Sequence, residues 1–239
     1  MQKKIIIIGA TSGIGKEMAE LYAAKGYKVG ITGRRSHLLQ QAEEKGKGNI
    51  YTACFDVTAE KSLESLLALV EEMEGIDVLI YNAGYGEVAI DLNEKIELTT
   101  VKTNVVGLVQ LTSWAFNYFV KKGSGQIAVI SSVAALRGSA LAPAYSASKA
   151  FGSLYAEGLN LKAAKLGADI VVTDIKPGFI NTKPSKGEKR FWVIPPEKAA
   201  IQIIKAIENK KRKAYISRRW WLVAQLFKII PFWLYKRLG

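Results

Sequence analysis

Apolar residues gather in short runs at 4–8, 28–32, 50–55, 76–81, 126–131 and 169–175. The first of them, Ile5-Ile6-Ile7-Ile8, shows no alternation with polar residues, as expected of a strand covered on both faces. Between the runs, apolar positions recur at helical spacing over 14–25, 35–45, 60–73, 93–121 and 146–166. A later helix is expected to start near Pro196 and run towards Asn209, with Pro195-Pro196 marking the stop and restart. Repeated βα units of this kind predict an α/β fold, a doubly wound parallel sheet flanked by helices. The 239 residues suit one such domain better than two small ones.

The chain carries a formal charge of +13, unevenly placed. Residues 210–239 supply nine lysines or arginines and no acid, leaving about +4 for the rest. Such a distribution is a local clue about partners, rather than a general preference for polyanions. One cysteine, Cys54, allows no internal disulfide and is expected in the core. The single histidine, His37, is expected on a helix surface, without a cluster of metal-binding neighbours. Met1-Gln2-Lys3-Lys4 leads into an apolar run too short for a secretion signal, so the main body is expected in the cytoplasm.

Gly9-Ala10-Thr11-Ser12-Gly13-Ile14-Gly15 follows the first strand and opens the first helix. Glycines there permit a tight turn and close approach of backbone to a pyrophosphate, while the free N–H groups of the helix face its charge. The strand–turn–helix context makes a Rossmann-type dinucleotide site the expectation, with a plain tight βα turn as the other reading. The second strand ends at Gly33-Arg34-Arg35, where an acid would accept hydrogen bonds from an unphosphorylated ribose. Arginines instead suit a 2′-phosphate, so NADP(H) is the expected cofactor, with Arg34 the first candidate and Arg35 the second. Asp56 and Val57 after the third strand are expected at the adenine, although Asp56 is equally suited to capping the next helix. Asn82-Ala83-Gly84 after the fourth strand offers a compact turn beside the nucleotide.

Tyr145-Ser146-Ala147-Ser148-Lys149 places a phenol and an ammonium four residues apart, on one face of a helix. A nearby cation favours the phenolate and brings a group of ordinary pKa near 10 towards a useful range. Beside a dinucleotide site, the pair points to hydride transfer at a carbon–oxygen bond. With Asn104, Ser132 thirteen residues before Tyr145, and Pro177-Gly178, the ordered set resembles the short-chain dehydrogenase/reductase family over nearly all of residues 3–210.

The resemblance implies roles for these residues. Tyr145 exchanges the proton of the substrate oxygen, and Ser132 hydrogen-bonds that oxygen. Lys149 lowers the pKa of Tyr145 and binds the nicotinamide ribose, while Asn104 holds a water and the helix geometry of a proton relay. It also implies that the turn Pro177-Gly178-Phe179-Ile180-Asn181-Thr182 passes the nicotinamide, with the Ile180 backbone and the Thr182 hydroxyl at its carboxamide. Homodimers and homotetramers are common in the family. Two positions depart from its pattern: Ile8 stands where many relatives carry threonine, and Tyr81 where many carry a second asparagine.

Residues 218–239 form a basic, aromatic carboxyl end, expected as an amphipathic extension of a domain at 1–217. Trp220 to Tyr235 is sixteen residues, short of the roughly 20 of a membrane-crossing helix. Flanking charge and adjacent aromatics suit a helix lying peripherally at an anionic membrane surface. Pro231 would kink or divide it. Covering the substrate cavity and packing between subunits are the other two readings. Nucleic acid is not an expected partner, because the aromatics lie within an apolar stretch.

The expected activity is reduction of a hydrophobic carbonyl, or oxidation of the matching alcohol. A 3-oxoacyl thioester reductase and a non-catalytic nucleotide-responsive scaffold are the alternatives. Specificity is expected around 85–95, 133–143 and 183–194.

Overall fold

The computed structural model describes residues 2–181, 192–217 and 219–237. Seven parallel strands form one sheet: β1 (Lys4–Ile8), β2 (Lys28–Gly33), β3 (Ile50–Cys54), β4 (Val78–Tyr81), β5 (Ser124–Ile130), β6 (Asp169–Pro177) and β7 (Lys213–Ile216). Their spatial order is β3-β2-β1-β4-β5-β6-β7, so chain direction across the sheet reverses between β1 and β4. A crevice opens beyond the carboxyl ends of the strands at such a reversal, and ligands of open α/β sheets bind there.

Period-two geometry explains the unbroken isoleucines of β1. Ile6 and Ile8 join one core with Leu79, Tyr81, Ile127 and Val129, covered by α3 (Ser62–Glu72), α5 (Gly107–Lys122) and α6 (Pro143–Leu166). Ile5 and Ile7 join the opposite core with Val78, Ile80, Ala128 and Ile130, covered by α1 (Gly13–Ala24) and α7 (Pro196–Glu208). α2 (Ser36–Lys45) lies beside the β2–β3 edge. Proline opens both α6 and α7, where its missing N–H costs nothing. α5 ends at Gly123, whose φ of 89° supplies the left-handed cap.

Several expectations change. The helix expected over 93–121 is α4 (Glu94–Val101), then a π-helical turn at Lys102–Val106, then α5. β7 was not expected, and it adds an edge to the sheet by pairing with β6. Cys54, expected in the core, is exposed at the end of edge strand β3, whereas His37 lies on the surface of α2 as anticipated.

The carboxyl end is not an extension. It folds back as α8 (Arg219–Ile229) and α9 (Phe232–Tyr235), divided at Pro231. Trp220, Ala224 and Ile230 are buried in the domain. Trp220 meets Phe179 edge-to-face at 5.3 Å and Trp192 at 6.1 Å. Arg137 donates to the Ile230 carbonyl at 2.7 Å and lies 4.7 Å over the Tyr235 ring, and the Tyr235 hydroxyl donates to Gly138 O at 2.7 Å. The apolar residues that suggested an appendage partly serve as core. Among the described residues no helix is long and apolar enough to cross a membrane.

Candidate active site

The β1–α1 turn is built by close contact. Gly9 holds φ at 83°, and a Cβ there would stand 2.7 Å from the Ala83 Cα. A Cβ on Gly15 would meet Gly9 O at 2.4 Å, so this last glycine lets the helix sit on the turn rather than touching the cleft. Asn82 Nδ2 donates to Gly9 O, joining the β4 turn to the glycine turn. Ser12 caps α1 without a side-chain bond to its first turn, leaving those N–H groups for a ligand.

A cleft of about 520 Å³ runs over this turn. It gathers Gly9, Thr11, Ser12, Gly13, Ile14, Arg34, Arg35, Asp56, Val57, Asn82, Ala83 and Gly84, all expected from the sequence. Thr32, Gly33, Phe55, Tyr85 and Thr103 complete it. Arg35 reaches across the cleft floor: its Nη2 donates to Thr11 Oγ1 at 2.6 Å and Ser12 Oγ at 2.7 Å. Arg34 Nη1 stands 3.3 Å from Asp56 Oδ2. Burial pushes the Asp56 carboxyl up, but hydrogen bonds from Thr58 and Arg34 prevail and hold it below its ordinary range. Its Oδ1 accepts from the Thr58 N–H at 2.9 Å and hydroxyl at 2.8 Å, so Asp56 braces its own turn as well as facing the cleft. The open glycine cradle, free helix N–H groups and paired guanidiniums fit a dinucleotide carrying an extra phosphate.

Past Gly84 and Gly86, which approach Lys149 and Tyr145, Ser132 follows β5 and Tyr145 and Lys149 lie in the first turns of α6. Ser132 accepts from the Ala134 N–H at 3.1 Å, which fixes its extended backbone at the start of a short 3₁₀ turn. The Tyr145 ring lies against Gly86, where a Cβ would stand 2.3 Å from Cδ2. Burial raises the Tyr145 pKa, and the Ser132 hydroxyl only partly offsets it. Lys149 is buried, donates to Ile130 O at 2.9 Å and lies 5.7 Å from the Tyr145 ring centre. Burial draws its pKa down to about 8. The resemblance implies a Tyr145 pKa lowered by Lys149; burial is the largest influence on it here and the Ser132 hydroxyl the second.

Asn104 lies in the π-helical turn and is buried. Its Oδ1 accepts from the Tyr85 N–H at 2.8 Å, while Nδ2 donates to Tyr85 O at 2.8 Å and Ser148 Oγ at 2.9 Å. Its side chain thus pins the β4 turn to α6. A Cβ on Gly84 would stand 3.1 Å from Lys149 Nζ, so the turn passes directly over the ammonium. Tyr85 and Gly86 lie in the 85–95 stretch expected to set specificity, without individual roles assigned; Ser148, inside the Tyr145–Lys149 segment, was missed.

Pro177-Gly178 ends β6, and Gly178 N–H donates to Ile216 O at 2.5 Å. Ile180 bridges Ile194. Thr182 and, of the stretch at 183–194 expected to bear on specificity, residues 183–191 lie outside the described residues.

A family model described as short chain dehydrogenase matches residues 3–191. The chain belongs to the short-chain dehydrogenase family. An uncharacterized oxidoreductase of Mycobacterium tuberculosis (strain H37Rv) is 30% identical over 239 residues, covering 96% of this chain and 93% of the relative. The NADP-dependent 3-hydroxy acid dehydrogenase of Escherichia coli K12 is 34% identical over 180 residues, covering 74% and 72%. Among solved structures, the closed form of a serine dehydrogenase complexed with NADP+ superposes with a TM-score of 0.77 at 28% identity, over 85% of this chain and 88% of that one. This short-chain dehydrogenase is an oxidoreductase whose cofactor is NADP(H).

Proposed function

We propose that this dehydrogenase reduces a carbonyl on a hydrophobic substrate with NADPH, or oxidises the matching secondary alcohol. The observation that carries the reading is the apolar rim at the chemical end of the cleft. Val88, Ile90 and Leu92 are 61%, 94% and 76% exposed on the loop that leaves Gly86 and Tyr145. The Ala89 N–H donates to Leu141 O at 3.0 Å, which joins that loop to exposed Leu141. Phe179 and Trp192, both partly exposed, stand on the segments that flank the Pro177-Gly178 turn. Large exposed apolar side chains cost solvation unless something covers them, which supports an apolar substrate.

Bound NADP(H) supplies or accepts the hydride. In reduction Tyr145 gives its phenolic proton to the substrate oxygen as that oxygen gains charge. Ser132 donates to the same oxygen and stabilises it as it becomes an alkoxide. Lys149 lends positive charge below Tyr145 and favours the phenolate left behind. Oxidation runs the same groups in reverse, and Asn104 holds Tyr85 and α6 in register throughout.

NADPH oxidation across medium-chain ketones and aldehydes, quinones, steroids and 3-oxoacyl thioesters tests the reading, with Tyr145→Phe alongside. Turnover confined to apolar ketones or aldehydes supports it. Turnover on the thioesters selects the acyl reductase alternative, and NADPH binding without turnover on any class favours the scaffold.

For partners, we propose that the outer face of α8 and α9 meets an anionic membrane surface peripherally. Trp221, Leu222, Leu226, Ile229, Phe232 and Trp233 are exposed there, beside exposed Arg219, Lys236 and Arg237. Flotation with phosphatidylglycerol vesicles tests it. A protein that stays at the bottom and sizes as a dimer or tetramer assigns the same face to a second copy.

A further inference from the structure

Tyr81 ends β4 and is only 2% exposed, with its hydroxyl turned to the helix that carries Asn104. That helix widens at Lys102–Val106 into a π-helical turn. In an α-helix the Gly107 N–H would bond Thr103 O; here it bonds Lys102 O instead. The Tyr81 hydroxyl donates to Thr103 O at 2.6 Å. A side chain from the sheet therefore serves the carbonyl from which the wide turn diverts its helical donor. Burial, then the charge of Asp56, raises the Tyr81 pKa, so the phenol stays protonated and keeps its role as donor.

We infer that Tyr81 is a positioning residue: its hydroxyl holds the π-helical turn in the register that aims Asn104 at Tyr85 and Ser148. The inference rests on the dehydrogenase reading for its catalytic consequence. The connected path is short. Tyr81 holds Thr103; Asn104, the next residue, holds both backbone groups of Tyr85 and the hydroxyl of Ser148. The Tyr85 turn in turn passes within contact of Lys149 Nζ at Gly84 and of the Tyr145 ring at Gly86. Tyr81 and Asn104 thus tie the β4 turn to the helix at two points, on either side of Asn82-Ala83-Gly84. Gly107 is part of the device, because a Cβ there would stand 2.8 Å from the Tyr81 hydroxyl and 2.9 Å from Val57 O.

Tyr81→Phe keeps the ring and removes only the donor. One lost hydrogen bond, relayed to the reacting groups, corresponds to a kcat about five- to ten-fold lower, with KM for NADPH and for the carbonyl unchanged within about two-fold. Amide hydrogen exchange should speed up at residues 84–86 and 103–108 and nowhere else. Gly107→Ala displaces the same hydroxyl and should lower kcat similarly, and combined with Tyr81→Phe it should cost less than the two losses multiplied. A Tyr81→Phe protein with wild-type kcat overturns the inference, even if its melting temperature falls. If no carbonyl is turned over by wild type, the dehydrogenase reading fails by itself, and the exchange at 84–86 and 103–108 still decides whether Tyr81 holds the turn.

Discussion

Lys149 sends its hydrogen bond to the carbonyl of Ile130, 2.9 Å away, and its ammonium lies 5.7 Å from the centre of the Tyr145 ring. The protein therefore holds an ammonium where burial works against its charge. This is a cost of function, and it can be measured.

Burial draws Lys149 down to about 8 from its ordinary 10.5. Between those values the unfolded chain binds more protons than the folded one, so this group makes stability rise with pH across that window. Below about pH 8 its full cost of roughly 3 kcal/mol is present. Lys149→Met removes the charge and also the bond to Ile130 O, which returns about 1 kcal/mol of cost. We expect the variant to be inactive yet more stable at pH 7 by about 1–2 kcal/mol. Denaturant melts should show this advantage shrinking by pH 10.5. A variant no more stable than wild type at pH 7 would sink the account.

Tyr145→Phe keeps the ring against Gly86 and removes the proton donor. We expect kcat for reduction to drop by at least about 10²-fold, with NADPH affinity retained when titrated by fluorescence. Because burial raises the Tyr145 pKa, reduction by wild type should persist through neutral pH and fall only on the alkaline side. Ser132 opposes that rise, so Ser132→Ala should move the alkaline limb of the pH profile still higher while lowering kcat. An unmoved limb would remove Ser132 from contact with Tyr145.

The two arginines divide the work at the phosphate end. Arg35 spans Thr11 and Ser12 and is already placed over the opening of α1, whereas Arg34 is held by Asp56. Arg35→Ser should weaken NADPH by about ten-fold and leave NADH nearly unchanged, the effect of losing one charge-assisted phosphate contact. Arg34→Ser should also weaken NADPH, because it removes a guanidinium and leaves the Asp56 carboxylate without that partner beside the phosphate. The loss should diminish with added salt. Equal losses for NADPH and NADH would deny both arginines the 2′-phosphate.

Much of this was legible in the chain. Ile5–Ile8 could be nothing but a doubly covered strand, and the glycine turn, Tyr145 and Lys149 sit on elements whose spacing alone locates them. β7 was hidden because Lys213-Ala214-Tyr215-Ile216 is four residues inside a basic run, too short for a period. The π-helical turn left no mark, since widening a helix changes hydrogen-bond partners and not the apolar pattern. The carboxyl end misled for a related reason: an amphipathic stretch reads alike whether lipid or its own domain covers it. What decides is Gly178, Phe179 and Trp192, which only folding brings to Trp220.

That contact yields the last prediction. A Cβ on Gly178 would stand 2.0 Å from Trp220 Nε1 and 2.2 Å from Cδ1, and the turn it belongs to closes β6 beside the chemical end. The glycine φ is not in the left-handed region, and the nearest obstacle to a side chain is the indole. Gly178→Ala should therefore destabilise by about 1–3 kcal/mol through overpacking. Trp220→Ala alone should cost about 3–5 kcal/mol by leaving a cavity among Phe179 and Trp192. The double variant should lose less than the two separately, since each change relieves the other. Urea melts of the four proteins measure the coupling. Additive losses would mean that Trp220 does not seat on Gly178, and that α8 is attached to the domain by its other contacts alone.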